Sequence, residues 1–398
     1  MQAHDSAASE LRRIYLSVFF ASIGLAYVYL IPAFAEALGA DYLQLGFIGT
    51  VRSLPYMFLP AIVGYLGDRF DRSRLYLLSI FATGAAMLVL AWTRTINGIV
   101  LVQVLLGIGF SLFWPLSEAL VSDAAPLRRR TAAMGTYGVA WASGFLIGPL
   151  FGGLIADRAG FQTSFLVAGI VVLMTAGASV AAIHRSGKRG ESHQRGTFAK
   201  TGMGLVSNLL PVLLAQIPYG IVFAFIASIF PGYAIQSGLT PFEVGILVSS
   251  FSFARIVMFS LSGTFERFGE RKSAALAFVA MALVLILIPL NGSLLALLAD
   301  MCALGFCIGI IYPQTVGYIC KHAPSASLGF AVGLYETIFG IGFAIGPITS
   351  GFVAQSISPN LAYLVLAAIA VSAIPLLLLS KGNSIEQIAR TGKKAPRA

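Results

Sequence analysis

Apolar residues fall in long runs at about 14–36, 43–66, 74–92, 98–121, 131–155 and 161–183, and again at 209–232, 242–264, 273–290, 294–319, 329–354 and 360–380. A bilayer's hydrocarbon core takes ~20 residues of helix to cross, and each run is close to that length or beyond it. Lipid offers no partner to an unpaired backbone group, and the strict alternation of barrel strands is missing, so every run is expected to be helical. Polar positions are confined to short connections and one longer stretch at 184–206. The pattern predicts an all-α membrane protein: a six-helix half over 1–183, a linker over 184–206, a second six-helix half over 207–381 and a tail over 382–398.

Composition narrows the picture. Of 398 residues, 58% are hydrophobic and 11% charged, whereas a soluble domain carries roughly 25% charge. So few polar side chains cannot coat a water-soluble globule, which excludes both a soluble enzyme and a disordered chain. The Lys and Arg residues are distributed very unequally: 22 flank one side of the predicted bundle, only Arg94 and Arg158 flank the other, and Arg52 and Arg255 lie within spans. Such a bias is the positive-inside signal and predicts cytoplasmic termini. Topology and anionic lipid account for the net charge of +10, so no nucleic-acid partner is expected. The first run follows Arg12 and Arg13 without a small-residue cleavage site and reads as a retained span in a prokaryotic cytoplasmic membrane.

The four histidines, His4, His184, His193 and His322, lie outside the apolar runs, which leaves no ligands for a zinc site or a histidine-based catalytic site within the membrane. Cys302, Cys307 and Cys320 form no CxxC pair and read as small packing residues. No GxxxxGK[ST] segment is present, so ATP hydrolysis by this chain is not expected. Neither a metal nor a cofactor is predicted.

The halves repeat. At an offset of 198, Asp68 meets Glu266, Arg69 meets Arg267, Gly107 meets Gly305, Pro115 meets Pro313, and Gly144, Gly148 and Pro149 meet Gly342, Gly346 and Pro347. A duplicated six-span unit with a solute site between its halves at mid-membrane is a transporter architecture, and alternating access by rocking follows from the symmetry.

Several motifs carry a family resemblance. The segment Gly64-Tyr-Leu-Gly-Asp68-Arg69-Phe-Asp-Arg72-Ser-Arg74 resembles the loop 2–3 motif G-x-L-x-D-R-x-G-R-[RK] of the major facilitator superfamily, and Gly263 to Lys272, with Glu266 and Arg267, is a degenerate copy. Asp123, Pro126 and Arg130 match that family's acidic–Pro–Arg pattern between spans 4 and 5. The chain is therefore identified as similar to this superfamily over essentially its whole length. The resemblance implies a cytoplasmic latch built from Gly64, Asp68, Arg69, Arg72, Asp123, Arg130, Glu266 and Arg267. Asp71 departs from the pattern, standing where the family usually has Gly.

Gly135, Gly144, Gly148, Pro149, Gly152 and Gly153 in span 5 resemble the "antiporter" motif of the twelve-span proton-coupled drug exporters, and Gly342, Gly346 and Pro347 repeat it in span 11. Its physical content is close helix packing with a Gly-Pro bend. Those exporters usually have an arginine four residues before the span 4 glycine, whereas here Gln103 precedes Gly107.

Charges within spans are costly and mark function by default; they are Arg52, Glu118, Arg255, Asp300 and Glu336. A carboxyl group out of water takes up a proton readily, so Asp300 is the first proton or substrate candidate and Glu336 the second. Alternatively, Asp300 pairs with Arg52 or Arg255 as a structural tie, and Glu118 is solvated near the cytoplasmic end or pairs with Arg128–Arg130. In this fold spans 1, 4, 7 and 10 line the cavity, which nominates Tyr27, Gln103, Trp114, Gln216, Tyr219, Phe223 and Tyr312. Such a wall suits a small amphipathic organic molecule. The expected function is a secondary active transporter, functional as a monomer, that exports such a solute against protons. Proton-linked import of a sugar or organic acid and a non-transporting sensor are the alternatives.

Overall fold

The computed structural model describes residues 2–126, 130–183, 209–323 and 328–379. Helix α1 runs Gln2–Leu25 and continues through a 3-10 turn, Ala26–Leu30, into Ile31–Ala37; α2 is Tyr42–Arg69, α3 Arg72–Trp92 and α4 Ile96–Ala124. The stretch Arg130–Ile183 is broken at Gly160, whose φ of 86° only glycine adopts without strain, and so comprises α5 and α6. In the second half α7 comprises Gln216–Ser228 and Phe230–Gln236, followed by α8 Pro241–Ser260, α9 Glu270–Leu287, α10 Leu294–His322, α11 Leu328–Ser356 and α12 Pro359–Leu379. These are the twelve membrane-length helices expected.

The duplication reaches down to the helix caps. Asp41 and Gln44 bond reciprocally ahead of α2, and Thr240 and Glu243 form the same capping box ahead of α8. Thr95 caps α4 as Ser293 caps α10. Ahead of α3, Asp71 accepts from the backbone N–H groups of Ser73 and Arg74 at 2.9 and 3.4 Å, so the departure from glycine is a working N-cap. Its counterpart ahead of α9, Gly269, has φ 86° and no side-chain cap.

Glycines set how closely the helices approach. In α5, an added Cβ at Gly144 or Gly148 would meet the α1 backbone, at Phe19 O and Ile23 O. In α11, Gly342 and Gly346 do the same against Ile217 and Ile221 of α7. The next turn crosses between halves: Gly153 packs on Pro241 and Gly245 of α8, and Gly351 on Tyr42 and Gly46 of α2. Hydroxyls stitch the same seams. Thr50 Oγ1 inserts into a turn of α11, donating to Ala344 O at 2.8 Å and accepting from Ile348 N at 3.1 Å, while Ser249 donates to Leu146 O of α5 at 2.7 Å.

These contacts close the end of the bundle opposite the chain's first residues. At the other end the cavity between the halves reaches Met134, Gly135 and Ser260, and among the described residues an added Cβ at Gly135, Gly263, Gly317 or Gly333 would meet nothing within 4 Å. Among the described residues the halves are thus sealed at one end and splayed at the other. At the splayed end Arg72 of α3 pairs with Asp123 of α4 at 2.7 Å, and Lys321 of α10 pairs with Glu270 of α9. Arg267 is exposed there, and Gly64, Asp68, Arg69, Arg130 and Glu266 lie outside the residues whose side chains are described.

Candidate functional site

Between the halves is a cavity of about 630 Å³, walled by α1, α2, α4, α5, α7, α8, α10 and α11. Half of its lining residues are aromatic, and the rings run continuously across the interface. Trp114 of α4 lies 5.4 Å from Trp141 of α5, Trp141 lies 6.1 Å from Phe259 of α8, and Phe259 lies 5.9 Å from Tyr312 of α10. Elsewhere on the wall Tyr219 and Phe223 of α7 make tilted contacts with Phe339 and Phe343 of α11 at 5.4 and 5.9 Å. Edge and tilted contacts at these spacings add to simple burial.

Four charged side chains interrupt the aromatic wall: Arg52, Arg255, Glu118 and Glu336. Tyr56 donates its hydroxyl to Glu336 Oε2 at 3.2 Å, bridging α2 and α11. Glu118 has an exposed side chain, and the surface it faces is the cavity. The two carboxyl groups share the cavity wall with Tyr137 and Tyr312. Arg52 and Arg255 are 4% and 3% exposed, so little of either is open to bulk solvent. Arg52 Nη2 donates to Ser228 Oγ at 3.2 Å, and the Arg255 guanidinium lies 4.8 Å from the Trp141 ring centroid.

The structure separates the sequence-nominated residues. Trp114, Tyr219, Phe223 and Tyr312 line the cavity together with Arg52, Arg255, Glu118, Glu336 and Gly135. Tyr27, Gln103 and Gln216 do not. Tyr27 packs on Gly152 within the first half, Gln103 is 1% exposed with its amide N and O unpartnered, and Gln216 donates to its own helix at Val212 O. Asp300 also lies off the cavity, and the suggested pairing with Arg52 or Arg255 is absent. Its carboxylate instead accepts from Asn291 Nδ2 at 2.6 Å and ties down the connection before α10. Glu118 faces the cavity, and the side chains of Arg128, Arg129 and Arg130, suggested as its partners, lie outside the described residues.

Spans 2, 5, 8 and 11 supply what a reading limited to spans 1, 4, 7 and 10 omits. Tyr56, four residues after the already nominated Arg52 in α2, Trp141 and Phe145 in α5, and Tyr335, Phe339 and Phe343 in α11 recur at i, i+4 spacing on the cavity face. That spacing was visible in the sequence and is the signal that could have found them. No cluster of three metal-ligating side chains occurs among the described residues.

Comparison with known proteins places this geometry. A family model described as Major Facilitator Superfamily matches residues 14–208 and 212–397. The Multidrug resistance protein 2 of Bacillus subtilis is 22% identical over 84% of this chain and 86% of its own length. The cis,cis-muconate transport protein of Acinetobacter baylyi is 24% identical, with 77% of each chain covered. Among solved structures, the peptide transporter POT in complex with sulfate superposes with a TM-score of 0.76 at 15% identity, covering 99% of both chains.

Proposed function

Because this chain belongs to the Major Facilitator Superfamily, we propose that it moves a small amphipathic organic solute across the cytoplasmic membrane by alternating access, exporting it in exchange for protons. One observation carries the reading. A single cavity between two symmetric halves holds an aromatic wall for the solute and two carboxyl groups, Glu118 and Glu336, for the proton. With both termini in the cytoplasm, as the Lys and Arg distribution favours, the splayed end faces inward and the glycine seams close the outer side. Rocking the halves would open those seams and close the splayed end over the solute. One chain supplies both halves of the cavity, which supports action as a monomer.

Efflux is favoured by relatives whose names denote multidrug resistance, including the one from Bacillus subtilis. Proton-linked import is the second reading. It is supported by Gln103, a neutral amide where the exporters carry arginine, and by the relative named for muconate transport.

The test uses purified protein in liposomes with a pH dye inside and no initial gradient. Solutes of different charge are added outside. Alkalinisation of the lumen is the expected result, and acidification would replace export with co-transport. Glu336→Gln and Glu118→Gln are each expected to reduce the proton signal by about tenfold or more, as for loss of a functional intramembrane carboxyl. Asp300→Asn, away from the cavity, is expected to keep it. Wild-type proton flux in both glutamine variants would remove these carboxyls from the mechanism.

A further inference from the structure

Arg52 and Arg255 stand out in the cavity wall because each is buried and incompletely bonded. Arg52 Nη1 has no hydrogen-bond partner, and neither do Arg255 Nε and Nη2. No ion pair to either arginine occurs among the described residues, and the carboxylate once suggested for them, Asp300, is held by Asn291. A buried cation without an anion is unfavourable unless something compensates it. The compensation is partial: Arg52 Nη2 donates to Ser228 Oγ, the Tyr29 hydroxyl lies against Arg255, and aromatic faces flank both, with Arg255 4.8 Å from Trp141 and 5.5 Å from Phe251 and Arg52 6.0 Å from Phe343.

The two guanidiniums also belong to one place. Arg255 lies 5.9 Å from the Phe223 ring and Arg52 6.0 Å from Phe343, and those two rings are themselves 5.9 Å apart. Tyr29 of α1 feels the charge of both. The glycine contacts fix their relative depth. Gly107 packs on the carbonyl of Arg52 and Gly305 on that of Phe251, so Phe251 is the structural counterpart of Arg52. Arg255 therefore sits one helical turn nearer the splayed end, about 6 Å at ~1.5 Å per residue. Free donors at two depths, flanked by rings, match a planar acceptor attached to an apolar body; a guanidinium fork suits a carboxylate in particular.

We propose that Arg52 and Arg255 form an anion subsite, and that the solute is an organic carboxylate whose aromatic or otherwise apolar body lies along the Trp141, Phe223 and Phe343 rings. This inference rests on the reading of the cavity as the solute site. It assigns the arginines to the solute and leaves Glu118 and Glu336, nearer the splayed end, to the proton.

Calorimetric titration of the purified full chain with three probes of one shape tests it: naphthalene-1-acetate, its neutral amide and 1-naphthylmethylamine. The carboxylate is expected to bind roughly tenfold or more tightly than the amide, the increment of a charge-assisted contact, and the amine no better than the amide. Arg52→Gln and Arg255→Gln should each reduce that ratio, and Arg255→Lys should retain part of it. If a glutamine variant fails to fold, the ratio in the wild type and the lysine variant decides. Equal affinities, a preference for the amine, undetectable carboxylate binding or a ratio unchanged in the glutamine variants would overturn the proposal. Liposome flux separates this from the transport reading. Proton-coupled movement of only neutral or cationic solutes sinks the anion subsite alone. Arginine-dependent carboxylate binding without any flux sinks the transport reading alone.

Discussion

Set side by side, the two halves keep one ion pair and reverse its charges. Arg72 at the start of α3 pairs with Asp123 near the end of α4, and 198 residues later the same positions hold Glu270 and Lys321, again paired. The cavity shows the opposite behaviour, since its charged groups are not duplicated at all. Where α11 offers Glu336 to the cavity, α5 offers Gly138; the counterpart of Glu118 is Val316, and that of Arg52 is Phe251. Scaffold contacts recur because each half must pack in the same way. The charged side chains of the cavity occur once because the two halves enclose it together.

The seam between halves gives the largest expected effect. A Cβ at Gly153 would come within 2.4 Å of Pro241 O, and one at Gly351 within 2.4 Å of Tyr42 O. Gly153→Leu and Gly351→Leu are expected to disfavour the sealed arrangement by about 1–3 kcal/mol, the usual cost of overpacking, which is roughly a tenfold to hundredfold shift in population. Hydrogen exchange of residues 42–50 and 241–250 would report it as faster exchange in both variants. Because the seams are symmetric, a response from only one variant would break the equivalence of the halves.

Much of this scaffold is legible in the sequence, because lipid permits only helices and because close helix approach demands small residues. The offset that reveals the repeat holds less well in one region. Asp41, Gln44, Gly46 and Thr50 superpose on Thr240, Glu243, Gly245 and Ser249, an offset of 199 rather than 198. A single displaced residue hid the correspondence of α2 with α8, and with it the relation between Arg52 and Arg255. The cavity is harder to read. In a membrane helix the lipid face and the protein face are equally apolar, so hydrophobicity does not tell which side Tyr27 or Gln103 takes. Polar depth was legible for Asp300, but its partner was not, since Asn291 comes from a connecting loop.

A smaller effect separates the two turns that precede α3 and α9. Gly269 has φ 86° and ψ 129°, a region that side chains avoid, so Gly269→Ala is expected to destabilise the second half by about 1 kcal/mol. Asp71 has φ −62°, and its contribution is the cap itself. Asp71→Gly should cost only a few tenths of a kcal/mol, since glycine is a tolerable cap. Thermal melts of the two variants would place Gly269→Ala clearly lower. Equal melting temperatures would mean that the positive-φ turn stores no conformational demand.

The smallest effect tests the Arg72–Asp123 ion pair, and it is the most direct probe of whether the pairing or the sign of each charge is what counts. The Arg72 and Asp123 side chains are 33% and 44% exposed, so water and salt screen them and the pair is worth at most about 1 kcal/mol. Arg72→Glu sets two carboxylates face to face, and Asp123→Lys sets two cations; each should lower the melting temperature and the transport rate slightly. Combining them gives the first half the polarity that the second half already has, and leaves the number of basic residues on that side unchanged, so topology is not disturbed. The double variant is therefore expected to recover most of what either single change loses, with a coupling of about 0.2–1 kcal/mol that shrinks as salt is raised. Additive losses would mean that Arg72 acts through another neighbour, and that the inverted pair in the second half is a coincidence of position and not a shared device.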